Sequence, residues 1–409
     1  MRRIAKVIAA VLLVMAAGLA LAWVTSPDPR GNPASFEDTP LNSRIAPLAE
    51  AITLASYRSV DGTAATLIVV DSDGERVFGV DLTALGADRT GDPLRDLASV
   101  DRAAITAQAL ASKPLVTLGI SDLLPSAPGG YRHIGVGTNF PEHAEEANSG
   151  SVFVFPKFAS ATPARTSIRA RPGVLLDYEV ELCMRFDRDI ATLQDFDAAV
   201  KGIFLCGDFT NRNALVELAD PDNLDSGYGF SDAKSGEGSF PTGPFIMVPR
   251  DWQQMVGDLR MTTSVNGDPR QDARAREMTL DFRGLAEKAL GDMEEPRFLY
   301  DGAFVKLSDD RRISREATLM SGTSEGVIFA PPTRADIIEG MVIYALSGGP
   351  LSGAGLVETI KQRFIANELE SAHFLQPGDV IRHDSSVLGS IEVMVVTEAG
   401  DQASSTGGL

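Results

Sequence analysis

The chain has 409 residues, with 37 Lys or Arg against 56 Asp or Glu, and a formal net charge of −19 at pH 7. A balance that acidic argues against nucleic acid and anionic membrane surfaces as partners. The hydrophobic content of 44% suffices for one large or two modest cores.

Arg2, Arg3 and Lys6 precede Val7 to Val24, an apolar run without a charge. Ala20-Leu21-Ala22 fits the small-x-small pattern of a cleavage site. Residues 1–22 therefore read as a signal peptide or an N-terminal transmembrane anchor, the run being at the lower limit for crossing a bilayer. Either reading places the remainder outside the cytoplasm, in the periplasm or anchored on the membrane. Residues 23–44, rich in Pro, Gly, Ser and Asp, read as a flexible linker.

Residues 45–125 read as a small α+β N-terminal domain. Ile52–Tyr57, Ala65–Val70 and Arg76–Val80 have strand character, and Asp61-Gly62 and Asp73-Gly74 are hairpin signals between them. Asp92 is a helix N-cap with Pro93 at the first helical position, opening an amphipathic helix to Leu110. Residues 126–398 form a second domain dominated by strands. It contains a Gly-rich piece, Ser347 to Gly355, followed by a helix over Leu356 to Leu369. Ala399 to Leu409 is a polar, disordered tail, and no internal repeat is present.

Cys183 and Cys206 are the only cysteines. Export makes a disulfide a consideration. Each lies in an apolar, strand-like run, however, and two buried free thiols are the expectation.

Leu176-Asp-Tyr-Glu-Val-Glu-Leu182 alternates apolar and acidic residues at the period of a half-buried strand. That period puts Asp177, Glu179 and Glu181 on one face, with side chains at i and i+2 roughly 7 Å apart. Carboxylates that close raise one another's pKa unless a cation sits among them, and an oxygen-only face suits a hard divalent ion. A solvated edge strand is the alternative. Asp208 ends the apolar run Ile203–Cys206 and can bring a further carboxylate, with Arg212 in the loop beyond it. His143 and Glu146, three apart, share a face on a helical turn and can form a dyad in which Glu146 raises the basicity of the imidazole. The loop around Lys234 lacks the two glycines of a phosphate loop, and a serine hydrolase is not expected.

Taken in order, seven motifs between about residues 45 and 398 resemble the fumarylacetoacetate hydrolase (FAH) family. They are Asn139-Phe-x-x-His143-x-x-Glu146; Asp177-Tyr-Glu179-Val-Glu181-Leu; and Gly202…Asp208-Phe-Thr-Asn-Arg212. Then come Lys234-Ser235 with Pro241-x-Gly-Pro244; Val265-Asn-Gly-Asp268…Arg270-Gln271; Gly322-Thr-Ser-Glu-Gly-Val327; and Gln376-Pro-Gly-Asp-Val380…Leu388-Gly389. The resemblance implies an α+β, mostly β fold: an FAH-like β-sandwich roll as catalytic domain, usually a homodimer. It implies Glu179, Glu181 and Asp208 as ligands of Mg²⁺, with Mn²⁺ or Ca²⁺ as substitutes, and Asp177 as a supporting residue. His143 and Glu146 become the catalytic dyad on a lid, Lys234 the group that stabilises developing enolate or carboxylate charge, and Arg212, Gly322 and Thr323 substrate-binding residues. The implied activity is hydrolysis of a C–C bond in a small 2-oxo or β-diketo acid such as an acylpyruvate. The alternatives are an isomerase, hydratase or oxaloacetate decarboxylase at the same metal site, or a non-catalytic binding protein on the same scaffold. Three features depart from the family pattern: Leu215 stands where many members carry glutamine, Ser324-Glu325 replaces Pro-Ala, and about residues 332–372 form an insertion.

Overall fold

The computed structural model describes residues 2–27, 31–147, 149–220, 222–353 and 355–397. The polar tail expected from Ala399 onward lies outside the described residues. Two compact units are present, one of residues 1–32 with 328–374 and one of residues 33–327 with 375–409.

In the first unit, helix α1 (Arg2–Val24) is apolar and long enough to cross a membrane over Lys6–Val24, a test that signal sequences also pass. The rest of this unit consists of helices, chiefly Arg334–Leu346 and Leu356–Ser371.

The second unit is rich in sheet. The chain first lays down β1 (Ala51–Arg58), β2 (Ala64–Ser72), β3 (Arg76–Asp81) and β4 (Val116–Gly119). Next come β5 (Arg132–Gly137), β6 (Phe153–Phe158), β7 (Arg165–Ala170), β8 (Leu176–Asp177), β9 (Val180–Phe186), β10 (Lys201–Gly207) and β11 (Thr210–Asn211). After β12 (Ile246–Pro249) follow β13 (Arg260–Val265), β14 (Asp268–Arg274), β15 (Phe298–Tyr300), β16 (Ala303–Val305), β17 (Leu319–Met320), β18 (Val380–Ser385) and β19 (Ser390–Thr397). Ten of these strands form one sheet in the order β4-β3-β2-β1-β12-β10-β9-β17-β5-β6. Five form a second, in the order β14-β13-β18-β19-β7. The two sheets meet where the ring of His383 on β18 lies against Phe209, just beyond β10.

The large sheet runs without a break from the strands of residues 51–119 into those of residues 132–320, through the β1–β12 pair. One core cluster explains why. It joins Ile52, Leu54, Ile68 and Val80 of β1–β3 to Leu94 and Leu97, and to Ile246 and Val248 of β12. Each such side chain contributes about 1.5–3 kcal/mol when fully buried. β9 and β10 in the centre of the sheet, and β6 at its edge, are buried along their whole length, the property of strands covered on both faces.

Two sequence expectations need correction. The helix expected over Asp92–Leu110 is two short helices, α2 (Pro93–Ala98) and α3 (Ala107–Ala111). Asp101 and Thr106 interrupt it because their side chains accept backbone N–H groups of Ala103 and Ala109, an alternative to continuing the helix. The thiols are not free: Cys183 and Cys206 form a disulfide between β9 and β10, with Cα atoms 6.0 Å apart. Cys183 stands opposite Phe204, and Cys206 opposite Glu181, so the bridge runs diagonally across the pair. That proximity depends on strand register, which apolar runs do not reveal.

The disulfide closes a loop spanning 23 residues of sequence. Replacing both cysteines by alanine is expected to lower the unfolding free energy by about 2–4 kcal/mol. Urea denaturation of the two proteins side by side measures this, and an unchanged midpoint would contradict it.

Candidate metal centre and its neighbouring dyad

The acidic stretch read as one strand is two strands with a break between them. β8 pairs with β11, Asp177 opposite Thr210, and β9 pairs with β10, Glu181 opposite Cys206. Tyr178 and Glu179 lie between, where the Asp208 N–H donates to the Glu179 carbonyl at 2.9 Å. This backbone contact joins the two acidic landmarks. Carboxylate oxygens of Glu179, Glu181 and Asp208 come within 4.8 Å of one another, and all three residues are buried.

Asp177 stays out of the cluster. Its Oδ2 accepts from Arg212 Nε at 2.8 Å and its Oδ1 from the Tyr178 N–H at 2.8 Å. Arg212 in turn donates through Nη2 to Glu179 Oε1 at 2.9 Å, so Asp177 orients the guanidinium that holds Glu179. Lys234, at the end of the helix Phe230–Lys234, places Nζ 2.6 Å from Glu179 Oε2, 3.0 Å from Asp208 Oδ2 and 3.0 Å from Thr210 Oγ1.

A residue that sequence reasoning missed completes the arrangement. Lys157 on β6 is fully buried and places Nζ 2.6 Å from Asp208 Oδ1, while also donating to the backbone carbonyls of Lys234 and Ser239. The available signal was a lone lysine inside the apolar run Phe153-Val-Phe-Pro-Lys-Phe158. A charge in such a run is stable only with a partner.

These contacts set the electrostatics. Burial pushes the Glu181 carboxyl well above the usual carboxylate range, and the charges of Asp208 and Glu179 push it further. Burial acts on Glu179 in the same sense, but Lys234, Arg212 and His143 outweigh it and leave its pKa lowered. Burial lowers the Lys157 ammonium against the pull of Asp208, whereas Asp208 and Glu179 outweigh burial at Lys234 and raise it. Glu181 Oε2 accepts the Gly322 N–H at 2.9 Å, yet its Oε1 is buried without a hydrogen-bond partner. Gly322 reaches Oε2 from a left-handed conformation, φ 77°, which favours glycine. An orphaned carboxylate oxygen among three carboxylates fits a hard divalent cation.

The dyad forms on α4 (Pro141–Glu146). His143 Nδ1 lies 2.8 Å from Glu146 Oε2, and Glu146 Oε1 accepts the Gly326 N–H at 2.9 Å. A carboxylate only accepts, so Nδ1 carries the proton in this contact. Asn139 fixes the start of this segment: its side chain donates to the carbonyls of Leu280 and Ser321 and accepts the Leu280 N–H. Glu325 sits half-buried close by, its carboxyl raised by burial and by Glu142 and Glu146.

Thr323 is 1% exposed, and its hydroxyl donates to the Val180 carbonyl and accepts from Gln271 Nε2. Gly322-Thr-Ser324-Glu-Gly326 carries the Gly-x-Ser-x-Gly spacing of a nucleophile elbow. Ser324 is nevertheless fully buried, and the segment leads from a two-residue strand into loop rather than helix. His133 and His383 are buried, and burial lowers them to about 4 and about 3, so both stay neutral near pH 7.

The fold and this site define a mixed, sheet-rich α/β protein with a buried carboxylate triad. A profile of the fumarylacetoacetate (FAA) hydrolase C-terminal domain matches residues 132–396. The chain belongs to the fumarylacetoacetate hydrolase family. An uncharacterized protein of Staphylococcus aureus strain USA300 is 30% identical over 216 residues, 46% of this chain and 69% of that protein. Among solved structures, a Mycobacterium abscessus protein described as a probable 2-hydroxyhepta-2,4-diene-1,7-dioate isomerase superposes with a TM-score of 0.51. It is 17% identical, covers 85% of this chain and 99% of its own, and shares the fold.

Removing Lys157 leaves Asp208 buried with half of its cationic support. Lys157→Met is expected to destabilise the protein by about 3–5 kcal/mol, the cost of breaking a buried ion pair. Thermal and urea unfolding of the variant test this.

Proposed function

We propose that the protein is a divalent-cation-dependent hydrolase that cleaves a C–C bond in a small 2-oxo or β-diketo acid outside the cytoplasm. The observation that carries this reading is the buried Glu179–Glu181–Asp208 triad, with an orphaned oxygen on Glu181, beside a formed His143–Glu146 dyad. Glu179, Glu181 and Asp208 would hold the ion, for which Mg²⁺ is the first choice and Mn²⁺ or Ca²⁺ are substitutes. When bound, such an ion polarises a 2-oxo group and its carboxylate as a Lewis acid.

The chain's own residues supply the rest. His143 Nε2 takes a proton from water, and Glu146 holds Nδ1 protonated and stabilises the imidazolium that results. Lys234 offers a fixed positive charge to the enolate that develops on C–C cleavage. Asp177, Glu179, Glu181 and Asp208 face Lys157, Arg212 and Lys234, so the buried groups, all ionised, are one negative charge in excess. A divalent ion turns that excess into one positive charge, which suits an anionic substrate. Arg212, held by Asp177 and Glu179, adds to this field. The Cys183–Cys206 disulfide supports an oxidising compartment, in which such bonds persist.

Titration of metal-stripped protein with Mg²⁺ and Mn²⁺ is expected to show saturable binding that Glu181→Gln abolishes. Because the Glu181 carboxyl is raised, a proton competes with the ion for it, so affinity falls as pH is lowered and binding releases a proton. Calorimetry in two buffers of different ionisation enthalpy measures that release, and binding independent of pH would remove Glu181 from the ligand set. His143→Ala is expected to lower turnover of acylpyruvates about 10²–10⁴-fold while leaving metal binding intact. Product analysis is the control: a product isomeric with the substrate, with no cleavage, would reassign the reaction to isomerisation.

A further inference from the structure

We propose that α1 is retained as a membrane anchor and that the tip of the helical hairpin of residues 334–371 inserts into the same lipid leaflet beside it. The argument stays within the unit formed by residues 1–32 and 328–374.

Two polar contacts, one from the end of α1 and one from Ser26 just beyond it, reach the helix Arg334–Leu346 and run in opposite senses. Ser26 Oγ accepts the Ala335 N–H at 3.1 Å, and Trp23 Nε1 donates to Glu339 Oε1 at 2.8 Å. Moving down α1 from Ser26 to Trp23 therefore means moving up the other helix from Ala335 to Glu339. The two segments are antiparallel where they meet, and residues after Glu339 descend in the direction of the apolar body of α1, which is itself exposed.

Polarity changes at that level. Above it lies a charged network: Arg363 donates to Glu339 Oε2 at 2.8 Å, and Asn367 donates to Asp336 Oδ1 at 2.8 Å and to Glu339 Oε2 at 3.0 Å. Below it, from Gly340 to Val357, the sequence contains no charged residue. A Cβ on Gly340 would collide with Ile360, so this glycine lets the two helices close tightly just beneath the network. The apolar side chains beyond are turned outward: Val342 is 47% exposed, Leu346 84%, Leu351 94% and Val357 66%.

Trp23 at the end of an apolar span, with Arg2, Arg3 and Lys6 at its start, has the placement of an interfacial anchor with a cytoplasmic N-terminus. The seven residues after Glu339, ending at Leu346, descend about 10 Å at the helical rise of 1.5 Å per residue. That is the depth of one headgroup and upper acyl layer, the range of interfacial helices, and too little to cross a bilayer. Part of the tip's backbone is bonded internally: Ser347 N–H donates to Ile343, Gly348 N–H to Ala345 and Leu351 N–H to Gly348. Lipid is therefore the occupant that the uncharged tip and the span beside it call for together.

The test uses the full chain reconstituted in phosphatidylcholine–phosphatidylglycerol vesicles. Because both native cysteines are held in the disulfide, a single Leu351→Cys protein can be labelled with an environment-sensitive fluorophore, and Glu370→Cys serves as the reference. Lipids with a nitroxide high on the acyl chain are expected to quench the label at 351 several-fold more than the label at 370. Mass spectrometry of the vesicle-competent protein recovered from cell membranes is expected to retain the residues before Trp23. Equal quenching at both positions overturns the proposal. So does protection of position 351 that rises with protein density and ignores the lipid quencher, which would assign the tip to a second copy of the chain. Recovery only of protein that lacks α1 would overturn it as well. Leu346→Glu combined with Leu351→Glu, at an exposed and locally bonded turn, is expected to fold and to abolish the lipid quenching of a label at Val357→Cys.

Discussion

Four buried carboxylates, three of them with oxygens within 4.8 Å of one another, are unstable unless cations are built in beside them, and the sheet-rich unit is organised around meeting that demand. Asp177, Glu179, Glu181 and Asp208 are all at most 3% exposed. Arg212 spans the first pair, Lys234 reaches Glu179 and Asp208, and Lys157 takes the remaining oxygen of Asp208. Asp208 Oδ2 has no hydrogen bond but is met by Lys234 at 3.0 Å, whereas Glu181 Oε1 has neither, and the raised Glu181 carboxyl expresses the deficit. The same unsatisfied charge that costs stability is the feature that makes the site a receptor for a cation.

Such a cluster also needs rigid supports. Glu181 and Asp208 leave the β9–β10 pair at its ends nearest the break, and the Cys183–Cys206 bridge ties the same two strands two residues away from each carboxylate. The buried amide of Gln271 accepts the Val180 N–H and donates to Thr323, which anchors the turn that carries Gly322 to Glu181. Asn139 performs the corresponding task for the dyad by binding three backbone groups of the Leu280 and Ser321 loops. Polar side chains thus hold backbone in place, while charged ones hold one another.

The helical unit follows a different logic. Its interior is small, with Phe364 and Ile365 as its buried large side chains on the last helix. Much of its apolar surface faces outward instead, an arrangement out of place in a water-surrounded helical pair and natural where the surroundings are hydrocarbon.

How much of this was written in the chain can be judged residue by residue. The alternation of Leu176–Leu182 and the apolar run to Asp208 marked Glu179, Glu181 and Asp208 as a candidate cluster, because acidic residues set into apolar runs leave a local signature. The His143–Glu146 pair was legible for the same reason, since three-residue spacing on a helical turn fixes contact without help from elsewhere. The apolar character of the N-terminal helix and the strands of residues 51–81 were legible too, from composition and period. Other features depend on which segments meet. The register of β9 on β10 brought Cys183 to Cys206 against the reading of free thiols, and the fold carried Lys157 from a distant apolar strand to Asp208. Caps at Asp101 and Thr106 divided a helix that periodicity alone would have continued. Residue types and their spacing determined the chemistry available to this protein. Only the tertiary structure decided which charges oppose which, because Coulomb forces act between atoms that neighbour in space rather than in sequence.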